Sequence, residues 1–133
     1  MTRINLVDPS ELSDQHLVAE YREIFMVGSS LQRSLKSKNW VKTIANIPKK
    51  YTLNKGHVTF FYNKGKYLYI RYDLLIDEMK NRGMNPDSER RFKTEQWPKE
   101  LFNNWKPEPD DYEVIRARIK EKIEMKPDWY RFS

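Results

Sequence analysis

The apolar positions of the first third of the chain recur at helical spacing. Leu17, Tyr21, Ile24, Gly28, Leu31 and Leu35 are separated alternately by four and three residues, which places them on one side of a 3.6-residue helix. The pattern predicts a helix running from the Asp8-Pro9-Ser10-Glu11 stretch to about Lys38. Asp8 suits the N-cap, Pro9 the first helical position and Glu11 the carboxylate of a capping box. Ser10 and Ser13 are alternative caps. Gly28 marks either the close approach of another helix or a bend. Ahead of the helix, Ile4, Leu6 and Val7 can tie the N-terminal segment to a core.

Residues 36–56 are a basic loop region with Pro48, Gly56 and six lysines. His57–Tyr62 (HVTFFY) has strand-like propensity without an obvious partner strand, and reads alternatively as an apolar turn or helical segment. A second helix is predicted over 66–82. Leu68, Tyr72, Leu75 and Met79 form its buried stripe, Ile70 and Leu74 widen it, and Gly83 supplies the C-cap. Residues 84–108, with Pro86, Pro98, Pro107, Trp97, Phe102 and Trp105, read as a long ordered loop. A third helix opens at Pro109-Asp110-Asp111, acidic as an N-terminus prefers. It buries Tyr112, Ile115, Ile119 and Ile123 and ends near Met125, before Pro127 and an aromatic tail. The expected fold is all-α: one compact domain over residues 1–133, with about three main helices and long ordered loops.

Composition narrows the function. A charged fraction of 33%, a hydrophobic fraction of 38% and a net charge of +6 give a thin core under a basic surface. Such a surface favours a polyanionic partner. The chain has no cysteine and two histidines, which excludes disulfides, thiolate catalysis and a Cys- or His-rich metal site. No apolar run reaches membrane-spanning length and no signal-peptide core is present. A soluble, cytoplasmic monomer working without metal or cofactor is expected.

Chemistry concentrates in residues 1–23. Seven positions is nearly two turns, so His16 and Glu23 lie about 20° apart on one helix face. Gln15 and Arg22 form the adjacent ridge. By spacing alone, such a face is more often a solvated surface with ordinary ion pairs. The terminus alters that weighing. Removal of Met1 before a small residue makes Thr2 terminal, and an α-amine (pKa near 7.7–8.0) is roughly 10–15% free base at pH 7, against about 0.04% for lysine. Arg3 and Arg22, if close, depress the amine further. Amine attack at a sugar C1′ gives an imine that acidifies the C2′ proton, and a carboxylate such as Glu23 can stabilise the cationic sugar and assist proton transfer.

The stretches MTRINL (1–6), SEL (10–12), DQHL (14–17), AEYRE (19–23), GHVTFFY (56–62), ARIKEKI (117–123) and WYRF (129–132) follow one another in order. On these blocks the sequence resembles the phage-type pyrimidine-dimer DNA glycosylases with AP-lyase activity, also called UV endonuclease V. The resemblance implies an all-α domain whose N-terminal segment threads between helices. It implies excision of the 5′ base of a cyclobutane pyrimidine dimer in duplex DNA, without a metal, by an enzyme that kinks the DNA and flips out the base opposite the lesion. It gives Thr2 as amine nucleophile and Glu23 as essential carboxylate. Arg3, His16 and Arg22 support binding or chemistry, Arg118 and Lys122 contact phosphates, and Gln15 joins the DNA-binding candidates. His57 reads as structural, Trp40, Trp97 and Trp105 as core, and Trp129 and Tyr130 as either stacking surface or core lid.

One departure bears on specificity. The phage enzymes follow AEYRE with Leu-Pro-Arg, and that arginine helps hold DNA. Here Ile24-Phe25-Met26 stands instead, so Met26 replaces a cation and no proline interrupts the helix. The lysines of the 36–55 loop (Lys36, Lys38, Lys42, Lys49, Lys50) are possible substitutes. The chain also ends at Ser133 where the phage enzymes run on, which predicts fewer aromatic contacts near the lesion. Two alternatives follow: the same amine chemistry on a different damaged base, or a basic DNA-binding module without catalysis.

Overall fold

The computed structural model describes residues 3–132. Its helices are α1 (Asp14–Glu23), α2 (Phe25–Leu35), α3 (Trp40–Ala45), α4 (His57–Phe60), α5 (Gly65–Asn81) and α6 (Pro109–Met125), with 3-10 turns at Pro9–Glu11, Phe61–Asn63, Thr94–Gln96 and Lys99–Leu101. The all-α expectation holds, since no strand occurs among the described residues. The count of three main helices does not, because the long first helix is two.

Both ends of that first prediction shift for a reason outside the local pattern. Asp8 does cap a turn, accepting from Ser10 N at 2.9 Å, but only the short 3-10 turn. The α-helix starts after Ser13, whose Oγ accepts from His16 N at 3.0 Å. In between, Leu12 is extended and fully buried, and the Arg82 guanidinium takes the carbonyls of Pro9 (3.1 Å) and Leu12 (2.7 Å) together with the Asp14 carboxylate (2.9 Å). The Leu12 carbonyl, held by Arg82, is the one a helix begun earlier would have given to His16 N, which turns to Ser13 Oγ instead. Glu11 pairs with Arg116 at 2.9 Å. The second interruption falls at Ile24, with neither proline nor glycine there.

The core follows the stripes of α1, α2 and α5. Of the expected α6 face only Ile115 is fully buried, Tyr112 and Ile119 being partly buried at its edge and Ile123 lying outside the core cluster. Leu17, Tyr21, Ile24, Leu31, Leu68, Tyr72, Leu75 and Ile115 are all buried, and α1 lies along α5. Ile70 and Leu74 do not widen the α5 stripe: they are 38% and 46% exposed, turned off the one face that α1 and the N-terminal segment cover. Gly83, at φ +80°, ends α5 in a Schellman arrangement. Met84 N donates to Met79 O at 2.9 Å and Gly83 N to Lys80 O at 3.0 Å. HVTFFY is helical, not a strand. Phe60, Phe61 and Tyr62 are consecutive and all buried, which a tight helical turn inside the core permits and a two-faced strand does not. Gly28 marks a close approach, but to the 94–97 segment: a Cβ there would collide with the Gln96 side-chain carbonyl. Trp97 is buried and Trp105 packs against Phe60 at 5.0 Å. Trp40 is not core, being 47% exposed beside the exposed Val41.

Candidate functional site

The N-terminal segment is threaded between helices, as expected, and side chains from several elements claim its backbone. Ile4 N donates to His57 Nε2 (2.9 Å) and Ile4 O accepts from the Tyr51 hydroxyl (2.8 Å). Asn5 N and Asn5 Nδ2 both donate to Glu20 Oε1, at 3.2 and 2.8 Å, and Val7 O accepts from Arg71 Nη1 at 2.6 Å. Arg71 forks onto the Glu20 carboxylate (2.6 and 3.0 Å), with both side chains almost wholly buried. Leu6 completes the thread in the left-handed region, φ 58°, bridged by Val7 N donating to Asn5 O at 2.5 Å. A buried leucine in that conformation costs of order 1–3 kcal/mol and persists only when its surroundings fix it. The pinned residues on either side of it do so.

Protonation states are legible from these bonds. His57 Nε2 accepts the Ile4 amide, so the ring proton sits on Nδ1 and is donated to Thr52 O at 2.8 Å. The imidazole is therefore neutral, and burial pushes its pKa down to about 4. Burial likewise pushes the Tyr51 hydroxyl up, keeping the donor to Ile4 protonated. His57 is structural, in the sense expected, and its role is specific. It anchors the chain two residues beyond Thr2.

Between this thread, α1 and α6 lies a groove of about 340 Å³. Arg3, His16 and Glu23 line it from the N-terminal side, Arg118 and Lys122 from α6, and Tyr130 from the tail. Tyr130 stacks on His16, ring centroids 4.7 Å apart and 3° from parallel. Ser13 Oγ lies 2.7 Å from His16 Nδ1. Positive charge is crowded here. The Arg3 pKa is lowered by burial and then by the Arg118 charge, with Tyr51 and Glu23 acting the other way. His16 is lowered by burial, against Glu20, with Lys122 adding to the fall. An anion between the walls would relieve both repulsions.

Five of the eight predicted site residues thus meet in one groove: Arg3, His16, Glu23, Arg118 and Lys122. Thr2 lies outside the described residues. Gln15 and Arg22 line a shallower groove alongside, with Ala19 shared and Trp129 and Arg131 on its rim. Gln15 is engaged with the tail, its Nε2 donating to Trp129 O (2.6 Å) and its Oε1 accepting from Arg131 N (2.9 Å). Tyr130 is thereby held over His16, which places the aromatic tail at the groove.

Sequence reasoning missed Asn5 and Glu20, which also line the groove, and the buried anchors Tyr51 and Arg71. Glu20 carried one signal: a carboxylate three residues from Glu23 on the same helix as the buried stripe needs a partner to be inside. A further amine, Lys64, has a pKa lowered by burial to about 8, but its Nζ is committed to Phe60 O and Asn63 Oδ1 at 2.9 and 2.8 Å. Among the described residues no group of three or more His, Asp or Glu side chains could hold a metal ion, and no helix is long and apolar enough to cross a membrane.

From Ile24 to Tyr72 the chain carries no carboxylate, and the groove has a single carboxylate, Glu23, outside the buried Glu20–Arg71 pair. That combination, on a helical scaffold with a threaded N-terminus, accords with what the sequence resembles. The family model for pyrimidine dimer DNA glycosylases matches residues 1–92, more than half of the chain, and the protein belongs to that family.

Proposed function

We propose that the protein excises the 5′ base of cyclobutane pyrimidine dimers in duplex DNA through an imine with the Thr2 α-amine, then cuts the strand by β-elimination. The observation that carries the reading is the shared groove: Arg3, covalently next to Thr2, lines it together with Glu23 and the α6 cations. The amine nitrogen attacks C1′ as the glycosidic bond breaks, and the departing base leaves with a proton. Loss of the amine proton and opening of the sugar ring give the imine. Glu23 stabilises the cationic sugar and assists proton transfer. Removal of the C2′ proton then expels the 3′ phosphate. Arg118 and Lys122 hold backbone phosphates, which position DNA without reading sequence, while Arg3 adds charge on the opposite wall and Arg22 in the groove alongside.

Borohydride trapping on an abasic duplex tests the amine chemistry. A covalent protein–DNA adduct mapped to Thr2 is expected. An adduct on a lysine, or none, sinks it. Intact mass is the companion measurement, because retention of Met1 displaces the nucleophile by one residue.

A second reading keeps the chemistry and changes the lesion. It is favoured by Met26, an apolar side chain 52% exposed just beyond Glu23, where the resemblance places an arginine. Duplexes carrying a dimer, an oxidised pyrimidine or a formamidopyrimidine separate the two readings. Nicking of the others with the dimer duplex left intact selects the second.

A further inference from the structure

The helix break after Glu23 has no local cause, and the residue that makes it lies far along the chain. In a continuous helix the carbonyls of Tyr21 and Arg22 would accept from the amides of residues 25 and 26. Here both are taken by one guanidinium: Arg90 Nη1 donates to Tyr21 O at 2.5 Å and Nη2 to Arg22 O at 2.8 Å. The regular ladder ends with Ile24 N on Glu20 O (2.9 Å), and Val27 N turns to Ile24 O at 3.4 Å.

Arg90 is itself held on several sides. Its guanidinium carbon sits 3.9 Å from the centroid of the Phe25 ring and 4.4 Å from that of Tyr21. Its carbonyl accepts from the Tyr72 hydroxyl at 2.9 Å, and the Tyr21 hydroxyl accepts from Asp87 N at 3.0 Å. A cation with planar, forked donors fits the carbonyl end of a helix both by hydrogen bonding and by the helix dipole.

The geometry points to Arg90 as a positioning residue for the proposed reaction: it caps the last turn of α1 and so fixes Glu23, the final residue of that turn, against the groove. This rests on the reading of Glu23 given above. Arg90 lines no part of the groove itself, so its removal acts through Glu23 and leaves the α6 phosphate contacts in place. Helix ends with unsatisfied carbonyls fray, and a carboxylate displaced by about 1 Å can lose on the order of 100-fold in rate.

The experiment is single-turnover and steady-state excision by the full chain carrying Arg90→Gly, with added guanidinium chloride at tens of millimolar and sodium chloride at the same ionic strength as control. The expected result is a kcat lower by roughly 10- to 100-fold with KM for DNA changed by less than about threefold, and partial recovery with guanidinium but not sodium. An unchanged kcat in the folded variant overturns the proposal, as does an equal loss in kcat and affinity without guanidinium recovery, which would mark Arg90 as general scaffold. If Arg90→Gly does not fold, Arg90→Lys serves. Its ammonium reaches one carbonyl but cannot fork onto two, and a kcat at wild-type level overturns the proposal equally. Amide exchange at Ile24 separates this inference from the function. If the wild-type protein excises nothing from dimer duplex, the reading of Glu23 fails, while faster Ile24 exchange in Arg90→Gly still supports the cap and unchanged exchange overturns it.

Discussion

The two walls of the groove are built on opposite principles. On the N-terminal side, Ile4, Asn5 and Val7 are fixed by Tyr51, His57, Glu20 and Arg71, all buried. On the α6 side, Arg118 makes one loose pair with Glu121 at 3.7 Å, and the helix is tied down by Ile115 and by surface pairs such as Arg116–Glu11 and Lys50–Asp110. Exposed pairs are individually worth about 0–1 kcal/mol, whereas a buried fork-to-fork pair tolerates no loss of one partner. Bond-making requires fixed atoms, and phosphate holding tolerates give. The wall assigned to chemistry is the one locked into the core.

Substitutions can break that contrast. The largest effect is expected at Glu23→Gln, which should lower base excision by about 10²–10⁴-fold while moving the unfolding midpoint little. An excision rate near wild type would remove Glu23 from the chemistry. Glu20→Ala inverts the profile. Leaving Arg71 buried without its carboxylate should cost about 3–5 kcal/mol, read from urea unfolding. A cost below about 1 kcal/mol would show that the thread is not held by this pair.

His57 sharpens the comparison through pH. Its folded pKa of about 4 lies below the ordinary value of 6.5. The stability it confers is therefore complete above about pH 6.5 and drains away as pH falls toward 4, by on the order of 3 kcal/mol in all. Urea midpoints at about pH 7 and about pH 5 should differ for wild type and differ less for His57→Gln. An equal fall in both proteins would assign the acid sensitivity elsewhere.

On the other wall, Arg118→Ala and Lys122→Ala should leave stability within about 0.5 kcal/mol. Each should weaken DNA binding and reduce the salt-dependence slope by about one. A slope unchanged in both would place the phosphates off this wall. The smallest effect is expected from Met26→Arg, which should steepen the same slope by about one or less and leave strand cleavage at abasic sites unaltered.

How much of this was readable in advance depended on where the cause of each feature lies. The bounds of α5 and α6 and the Gly83 cap follow from patterns within a few turns and stand as read to within a residue. The stripes of α1 and α5 are buried along their main lines, whereas of the α6 face Tyr112, Ile115, Ile119 and Ile123 only Ile115 is fully buried. The seven-residue spacing did bring His16 and Glu23 to one groove. The failures share a different origin. The start of α1 is set by Arg82 and the break at Ile24 by Arg90, each a guanidinium arriving from distant sequence to take carbonyls a helix would use. Ile70, Leu74 and Trp40 look like core by residue type, yet they stand well exposed, and apolar identity alone does not bury a side chain. Gln15 shared its ridge with Arg22, but its amide is matched to the tail backbone, a partner more than a hundred positions away.

The fork at Arg90 also constrains the order in which this sequence can change. Because the break after Glu23 is specified from position 90, residues 24–26 carry no breaker of their own, and Ile24 and Phe25 answer instead to packing, Ile24 buried in the core and Phe25 against Tyr72 and the Arg90 guanidinium. Loss of Arg90 is then tolerable only in a chain that has already acquired a proline near position 25, whose missing amide would stop the ladder locally. The effects of the two substitutions therefore depend on their order, so positions 25 and 90 form an epistatic pair although neither lines the groove.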